Sequence, residues 1–452
     1  MSYQEFISKK LKMPFEPGIT VDDKDLNPKL FSFQKAIVKW SLHKAKSALF
    51  EGCGLGKTLQ QLEWAQHVSQ NGRVLLLAPL AVSAQTMREA DKFGISGVEV
   101  SKDGNFKKDI IITNYEKLHY FNQEDFSGIV LDESSILKNY SGSIRQQITD
   151  FAQGMKYRLA CTATPAPNDF MEIGTHSEFL AQMRRVEMLA TFFTHDGSDT
   201  SNWILKGHAQ DAFWEWMSTW CVALEKPQDL GFDDVDYSLP PLNMHNIVVE
   251  SKSLDGMLFV QHAQTLEERR NARRSSLKER VAAAAEIANS TDEQVLVWCD
   301  LNAESEALKR AINGAVEVKG SDKSDYKESA ILGFIEGKHR VLVSKPSICA
   351  HGLNLQNCCK SIFTGLSDSF EQMYQAIRRN WRYGQTRPVD CYIITSEAEG
   401  AVVENIKRKE RQAELMFKSL IEKISIHELN VNRLRTDNYS ANLEMILPTF
   451  LK

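Results

Sequence analysis

The sequence predicts an α/β protein made of two similar lobes, each built around a parallel β-sheet. Three observations support this fold class. A glycine-rich turn, Phe50–Thr58 (FEGCGLGKT), lies between a strand-like run and a helix-like run. Short apolar runs follow it, most of them separated by polar segments of helix length. The same succession returns in the second half without the glycine-rich turn. Such a succession is typical of parallel sheets with crossover helices.

Length and composition bound the size and location of the protein. The 452 residues, of which 42% are hydrophobic, are enough to bury more than one core, so we expect two domains. No apolar run reaches the length of a membrane span, and the N-terminus, Met1–Gly18, lacks the apolar region of a signal peptide. We therefore expect no membrane contact and a cytoplasmic location.

Charge and cysteine content restrict the kinds of site. The net charge of −5 argues against an overall polycation, so any grip on nucleic acid has to come from local basic surface. The eight cysteines include no C-x-x-C pair, and several lie in apolar strand-like runs. We expect reduced thiols and not zinc ligands.

The glycine-rich turn has the composition of a phosphate-binding loop. Gly52, Gly54 and Gly56 lie where backbone N–H groups can face an anion at the start of a helix. Lys57 is then placed to bind the β- and γ-phosphates of ATP, and Thr58 to bind Mg²⁺. Glu51 occupies the position of the usual first glycine, so an ordinary glycine-rich turn remains an alternative for this motif taken alone.

Gln34 lies ahead of this loop at a distance that allows its side chain to return to a bound nucleotide. An amide reads adenine by donating and accepting a hydrogen bond at once. A solvent-facing glutamine on an amphipathic helix is the alternative.

Four apolar runs in the first half are predicted strands: Arg73–Pro79, Asp109–Asn114, Gly128–Glu133 and Tyr157–Pro165. Ligands of parallel sheets bind beyond the carboxyl ends of the strands. Asp132 and Glu133 close the third run, where a carboxylate that orients Mg²⁺ and a carboxylate that activates water are needed. A solvated strand end is the alternative for this pair.

The ordered set of motifs resembles the superfamily II helicase-type ATPases, and within them the Swi/Snf-type DNA translocases. The resemblance rests on the glutamine motif at Phe33 and Gln34, the acidic-start loop Glu51–Thr58, the D-E box with L-K-N at Asp132–Asn139, and the T-x-T-P-x-x-N element Thr162–Asn168. Ser135 stands where the family often has histidine, which leaves open how the nucleotide state reaches the T-A-T-P segment.

The resemblance extends into the second half. Ser347–Gln356 is similar to the glycine-bearing fifth motif, with Gly352 as a nucleotide-binding candidate, and Gln375–Val389 resembles Q-A-x-x-R-x-x-R-x-G-Q. By this resemblance Arg379 and Arg382 complete the catalytic site together with Lys57 and Glu133. Arg378 and Trp381 replace residues that are commonly acidic and histidine, respectively.

The resemblance also implies the domain organisation. It predicts an N-terminal RecA-like ATP-binding lobe over residues 1–240, with a helical protrusion at about 168–225, and a C-terminal RecA-like helicase lobe over residues 241–452. The protrusion is similar to that of compact bacteriophage-encoded members. Lys226–Asn243 is predicted to connect the lobes.

Two further features have competing interpretations. Phe213, Trp216, Met217 and Trp220 have helical spacing, which favours a packed core over a base-stacking device. The basic clusters Arg269–Arg280 and Ile406–Arg411 have glutamates in or beside them, so a salt-bridged helix face is at least as consistent as a phosphate track.

We therefore expect an ATP hydrolase that uses ATP and Mg²⁺ and is driven along nucleic acid, by resemblance double-stranded DNA, in a bacterial or phage-infected cell. A protein partner that targets the motor is compatible with this expectation. A strand-separating DNA or RNA helicase is the nearest alternative. A P-loop small-molecule kinase has no evident use for the paired arginines, and Lys57, Glu133 and both arginines disfavour an ATP-gated binding module without hydrolysis.

Overall fold

The computed structural model describes residues 17–79, 82–195, 203–232, 238–250, 271, 273–349, 354–367 and 369–423. These residues form two α/β lobes, each around its own parallel sheet, and one small antiparallel hairpin. The two-lobed parallel architecture predicted from the sequence is confirmed.

The first lobe holds seven helices and nine strands among the described residues. They are α1 (Ser32–Lys44), β1 (Lys46–Glu51), α2 (Lys57–Val68), β2 (Val74–Ala78), α3 (Ser83–Phe93), β3 (Val98–Val100), β4 (Ile110–Asn114), β5 (Gly128–Asp132), α4 (Ser143–Phe151), β6 (Tyr157–Thr162), α5 (Ile173–Phe179), α6 (Arg185–Phe192), β7 (Phe193–His195), β8 (Trp203–Leu205), α7 (Gln210–Ser218) and β9 (Cys221–Leu224).

The sheet of the first lobe has the strand order β3-β4-β2-β5-β6-β1-β9, and all of its neighbours are parallel. Its central strands are apolar runs that are buried along their whole length, as expected for strands covered by helices on both faces. The register pairs Phe50 with Thr162 and Asp132 with Cys161. The ends of β1, β5 and β6 therefore meet at one edge of the sheet.

The insertion on the first lobe is helical in α5, α6 and α7, but it also contains the β7–β8 hairpin. The segment then returns to the main sheet, because β9 pairs with β1. This strand was not expected from the sequence. The aromatic stripe of Phe213, Trp216, Met217 and Trp220 is buried in the core of the first lobe, which confirms the packing interpretation over base stacking.

The second lobe has the strand order β10-β15-β14-β11-β13-β12, again all parallel. Its elements are β10 (Leu242–Val249), α8 (Leu277–Asn289), β11 (Val295–Trp298), α9 (Asn302–Ala311), β12 (Ala315–Val318), α10 (Ser324–Ile335), β13 (Val341–Ser344), α11 (Pro346–Cys349), β14 (Lys360–Phe363), α12 (Phe370–Ile377), β15 (Val389–Ser396) and α13 (Gly400–Lys423). The strand β10 starts inside the segment that the sequence assigns to the connection between lobes.

Alternation along β11 divides the core of the second lobe between the two faces of its sheet. Leu296 and Trp298 pack in one apolar cluster, while Val295 and Val297 pack in the other. Helices cover both faces, as in the first lobe.

The last helix of the described residues, α13, joins the two lobes. Val402 and Ile406 near its start belong to the core of the second lobe, whereas Met416, Phe417 and Leu420 near its end belong to the core of the first lobe. Separately, none of the helices in the described part of the chain combines the length and apolar character needed to cross a membrane.

Candidate active site in the cleft between the lobes

The predicted phosphate-binding loop forms the turn between β1 and α2. Gly54 and Gly56 have φ angles of 94° and 81°, in the left-handed region that favours glycine. A Cβ atom on Gly56 would lie 2.3 Å from Gln34 Nε2, and one on Gly54 would lie 3.2 Å from the backbone nitrogen of Tyr383. The loop is therefore closely packed by a residue from each lobe: a side chain at Gly56 would collide with Gln34, and one at Gly54 would crowd Tyr383.

Lys57 begins α2 and its ammonium lies over the start of the loop. Its Nζ atom donates to the backbone oxygens of Glu51 at 2.8 Å and Gly52 at 3.1 Å. Phosphate oxygens are stronger acceptors for an ammonium than neutral carbonyls. This position therefore suits a side chain that exchanges loop carbonyls for phosphates, with Thr58 following it in the first turn of the helix.

Gln34 is 3% exposed, so the solvent-facing alternative is wrong. Its Oε1 accepts from the backbone N–H of Phe31 at 3.0 Å, and its Nε2 donates to the backbone oxygen of Leu55 at 2.8 Å. The Nε2 end thus holds the phosphate-binding loop against α1, and the Oε1 end caps the start of that helix. Its reading of adenine remains a prediction.

Glu51, at the position of the usual first glycine, is fully buried at the end of β1. Gln60 Nε2 donates to its Oε2 at 2.8 Å. Burial raises the pKa of Glu51 to about 7, although Lys57 and the hydrogen bond from Gln60 act in the opposite direction. The side chain is therefore a buried acid beneath the loop.

Asp132 ends β5 and is also buried. Gln61 Nε2 donates to its Oδ1 at 2.8 Å, and the hydroxyl of Tyr115 donates to its backbone oxygen at 2.6 Å. Burial, and then repulsion from the Glu133 carboxylate, raise the pKa of Asp132 to about 6. Burial and repulsion thus destabilise the ionised form of Asp132, and a nearby cation would stabilise that form.

Glu133 has a left-handed backbone, with φ 59° and ψ 55°, which is rare for a residue with a long side chain. Such strain costs on the order of 1–3 kcal/mol and concentrates at functional sites. The Oε2 atom of Glu133 lies 3.4 Å from Thr162 Oγ1, at the end of the neighbouring strand β6. The turn therefore directs this carboxylate toward the edge of the sheet where the T-A-T-P segment begins.

Gln375 of α12 connects this edge to the second lobe. Its Nε2 lies 3.4 Å from Glu133 Oε2, and its Oε1 accepts from Arg379 Nη2 at 2.8 Å. Arg379 Nε also donates to the backbone oxygen of Gln375, at 3.0 Å. Arg379 is 6% exposed, and its charge is among the influences that lower the pKa of Asp132.

Arg382 lies beside the phosphate-binding loop itself. Its Cβ is 3.6 Å from the point that a Cβ on Gly54 would occupy. The structure thus brings Lys57, Asp132, Glu133, Arg379 and Arg382 to one interlobe cleft, although they come from distant parts of the chain.

A second set of contacts closes the cleft beside Gln375. Glu371, one helical turn earlier on α12, pairs with Lys138 of the L-K-N element and lies 3.5 Å from Thr164 Oγ1 of the T-A-T-P element. Asn168, which ends that element, accepts a hydrogen bond from Lys409 of α13 at 2.9 Å. The motifs of the first lobe are therefore held directly by the second.

A histidine from another element lies near Ser135, the position where the family often has histidine. His176 of α5 lies with its Nε2 atom 3.1 Å from Ser134 Oγ, directly after Glu133. Burial lowers the pKa of His176 to about 4, so its imidazole is neutral at physiological pH. A histidine contact to the D-E box is thus present, although Ser135 itself is not histidine.

The remaining predicted features have separate outcomes. Gly352 lies outside the described residues. Arg273 pairs with Asp300 at 2.5 Å, and the fully buried Arg280 pairs with Glu304 at 2.6 Å. Both arginines are buried in ion pairs inside the second lobe, so their charges do not face a nucleic acid. For these two residues the salt-bridge interpretation is confirmed and the phosphate track is wrong.

Three polar residues of the cleft were not predicted from the sequence: Gln61, Glu371 and Gln375. Gln375 opens the arginine-rich element and lies four residues before Arg379, which is the spacing of neighbours on a helix. That spacing was a usable signal for Gln375. Glu371 lies a further four residues back, on the same face.

Comparisons with known proteins match this arrangement. Residues 33–200 match the family described as SNF2-related domain, and residues 277–384 match the helicase conserved C-terminal domain. The two matched segments carry the first-lobe and second-lobe sides of the cleft, respectively.

Individual proteins are similar over different extents. Protein p41 of Acyrthosiphon pisum secondary endosymbiont phage 1 is 23% identical over 86% of this chain and 98% of its own length. The candidate ATP-dependent helicase/translocase YwqA of Bacillus subtilis (strain 168) is 26% identical over 33% of this chain, which is 18% of YwqA.

Among solved structures, a Sulfolobus solfataricus SWI2/SNF2 ATPase core in complex with dsDNA aligns with 91% of this chain and 98% of that chain, at 19% identity and a TM-score of 0.43. With its SNF2-related domain followed by a helicase C-terminal domain, the chain belongs to the Swi/Snf-type group of superfamily II helicase-type ATPases and is an ATP-hydrolysing enzyme.

Proposed function

We propose that this ATPase is stimulated by DNA and translocates along double-stranded DNA. The observation that carries the proposal is the Gln375 side chain, which lies between Glu133 of one lobe and Arg379 of the other. Hydrolysis at such a site depends on how the lobes are placed, and a track bound across both lobes changes that placement. The SNF2-related domain and the relative named as a helicase/translocase support a motor function.

In this proposal the first lobe binds the nucleotide and its metal ion. Gly52, Gly54 and Gly56 form the phosphate cradle. Lys57 binds the terminal phosphates, Gln34 reads adenine, and Gly352 of the second lobe contributes to the same nucleotide site.

Thr58 and Asp132 would hold Mg²⁺. Their hydroxyl and carboxylate oxygens are the ligands that Mg²⁺ prefers, and a cation relieves the burial and repulsion that raise the pKa of Asp132. The ion, when bound, neutralises charge on the phosphates.

The reaction is in-line attack of water on the γ-phosphate. Glu133 accepts the proton of the attacking water, and Arg379 and Arg382 stabilise the charge that develops on the phosphoryl group. Gln375 contacts both groups and so holds Glu133 and Arg379 in position relative to each other across the cleft.

The track is proposed to be read through its backbone, because the described part of the chain holds no recognisable base-reading module. Local basic surface has to supply the grip, since the net charge is −5. The cytoplasm of a bacterial or phage-infected cell is the proposed location, which the similarity to a phage protein supports, and a targeting partner is proposed to select the site of action.

Steady-state ATP turnover with saturating duplex DNA, single-stranded DNA or RNA tests the proposal. Duplex DNA should stimulate turnover by about tenfold or more over the other two, within the usual range of coupling between two sites. Displacement of a third strand from a triplex, without separation of a labelled duplex, should accompany it. Efficient strand separation would instead identify a helicase, and equal turnover with all three nucleic acids would contradict a duplex track.

A further inference from the structure

A cavity of about 650 Å³ lies between the two lobes, beside the segment of α12 and its C-terminal end that carries Arg378. This volume is typical of sites for small molecules. The wall combines side chains from α12, α13, the connection between the lobes and the start of β10. Its apolar part includes Leu239, Met373, Trp381 and Phe417.

One buried charge lines this cavity. Arg378 is only 7% exposed, and its guanidinium carbon lies 4.2 Å from the centre of the Trp381 ring and 5.1 Å from that of Tyr374. Its Nε atom has no hydrogen-bond partner among the described residues. A buried donor without a partner costs about 1–3 kcal/mol, so an acceptor from outside the protein is favoured at this point.

The other charged groups of the lining differ from Arg378 because they are exposed. Glu225, Lys226, Glu410 and Glu414 are exposed, although partial burial raises the pKa of Glu225 and of Glu410, and the charge of Arg378 acts against that rise at Glu225. The three carboxylates disfavour the entry of polyanions such as nucleotides. Arg378 attracts Glu225, and its buried Nε atom is the donor in the lining that an acceptor on an occupant can meet.

We propose that this cavity is a second ligand site, for a small aromatic or apolar molecule that carries one carboxylate. The carboxylate accepts a charge-assisted hydrogen bond from the planar guanidinium of Arg378. The apolar body packs against Trp381 and Phe417, where it replaces water along an apolar wall. This site is distinct from the nucleotide site, although the two share a boundary.

The shared boundary is the segment that carries Arg378. Tyr374 and Arg378 line the cavity, while the adjacent residue Gln375 contacts both Glu133 and Arg379. Cys53 of the phosphate-binding loop also lines the cavity. A molecule bound there contacts residues of both lobes.

Cys53 allows a direct test by disulfide exchange on the full chain, because it is half-buried whereas the other seven cysteines are buried. Three probes share one thioethyl arm and one phenyl ring, and end in a carboxylate, a neutral amide or an ammonium. The fraction of protein labelled at a fixed concentration of 2-mercaptoethanol is measured by intact-protein mass spectrometry. Cys53→Ser identifies the labelled thiol, since it should abolish labelling.

The carboxylate probe should label Cys53 about tenfold or more over the ammonium probe, as expected for a charge-assisted hydrogen bond. Arg378→Met should remove this preference. Arg408→Met, a matched change at an exposed arginine of α13, should retain it. Equal labelling by the carboxylate and ammonium probes, or a preference that survives Arg378→Met, would overturn the proposal.

A second variant keeps the test informative if Arg378→Met does not fold. Ala413→Phe fills the cavity from α13 and leaves Arg378 in place, so it should reduce labelling by all three probes. Unchanged labelling of this variant, or loss of the preference in Arg408→Met, would show that the probes report general surface properties and would also overturn the assignment.

Discussion

Gln375 links Glu133 to Arg379 through one side-chain amide, with its Nε2 3.4 Å from the Glu133 carboxylate and its Oε1 2.8 Å from Arg379 Nη2. The two groups thus joined are the proposed base and a proposed charge-stabilising arginine, one from each lobe. An amide suits this position because it donates to the carboxylate and accepts from the guanidinium at the same time.

Replacing the Gln375 amide should separate its role in positioning the catalytic groups from any role in binding ATP. Gln375→Met keeps the length and apolar stem of the side chain but removes both hydrogen bonds. We expect ATP turnover to fall about a hundredfold, the cost of a small misplacement of catalytic groups, while the KM for ATP and the thermal midpoint stay near wild type. Gln372→Met on the same helix is the control. A parallel loss of thermal stability and ATP binding would point to a purely structural role.

Local patterns explain why the first-lobe side of the cleft was predictable. The glycines of the phosphate-binding loop and the apolar run that ends at Asp132 are short-range signals, and the structure places both at one edge of the sheet. The partner of Glu133 is 242 residues away in sequence, at Gln375, and no local pattern specifies which residues meet across a cleft.

Two of the strands that were missed, β9 and β10, have equally physical explanations. β9 spans only four residues and comes soon after a tryptophan-rich helix. Its apolar residues therefore look, in the sequence, like a continuation of that helix. β10 lies at the edge of its sheet and is largely exposed, and it therefore lacks the alternation of a half-buried strand. Its place is set by pairing with β15, a contact that is distant in sequence.

Glu133→Gln tests the proposed base. The substitution keeps the shape of the side chain and an oxygen that accepts from Thr162 and Gln375, but an amide does not take a proton from water. We expect ATP affinity to remain and turnover to fall by about 10²–10⁴, the usual contribution of a general base. Equilibrium ATP binding and single-turnover hydrolysis measure the two quantities. Exposed Glu124→Gln serves as the control, and hydrolysis unchanged in Glu133→Gln would remove this residue from the mechanism.

Glu51 predicts a pH dependence of stability. Burial raises the pKa of Glu51 to about 7 in the folded state, from an ordinary value of 4.5. Between these values the folded protein holds a proton that the unfolded chain has released, so the contribution of Glu51 is present below pH 4.5 and is lost as the pH rises through about 7. Replacing the acid by the neutral Glu51→Gln should therefore stabilise the protein at pH 8 relative to wild type, by up to about 3 kcal/mol.

Thermal midpoints of wild type and Glu51→Gln, followed from pH 5 to 8 in steps of about one unit, measure this effect. The difference in favour of the variant should grow with pH. Glu116→Gln, an exposed change, should show no such trend. A difference that stays constant over the pH range would mean that the wild-type acid is not protonated in the folded protein near neutrality.

Leu420 tests whether α13 is part of the first lobe. Its side chain is fully buried in the core of that lobe, although α13 begins in the second. Leu420→Ala should lower the free energy of unfolding by about 2–5 kcal/mol, as large-to-small changes in a core do. Lys423→Ala, at the 3.1 Å ion pair with Asp211, should cost less than about 1 kcal/mol because both side chains are exposed. Denaturant unfolding compares the two, and equal small effects would contradict the joining role of α13.

The paired arginines test the requirement for both lobes most directly. Phosphoryl transfer needs positive charge at the γ-phosphate as negative charge develops there, and a guanidinium supplies it without releasing a proton. Arg379 and Arg382 lie in the lobe that lacks the phosphate-binding loop, yet one contacts Gln375 beside Glu133 and the other packs beside Gly54. Their delivery to a nucleotide therefore depends on the interlobe contacts of α12, and not on the fold of either lobe alone.

Arg379→Ala and Arg382→Ala should each leave ATP binding near wild type and reduce DNA-stimulated turnover by about a thousandfold. Arg387→Ala, at an exposed arginine of the same lobe, is the matched control and should change neither quantity. Arg379→Lys separates charge from geometry: a lysine keeps the charge but cannot reproduce the planar contact with Gln375, so turnover should recover only in part. If ATP affinity and thermal stability collapse together in the alanine variants, these arginines hold the segment in place and do not act on the phosphate. If DNA-stimulated turnover stays close to wild type, they have no part in hydrolysis, and the dependence of the reaction on lobe closure must come from Gln375 and Glu371.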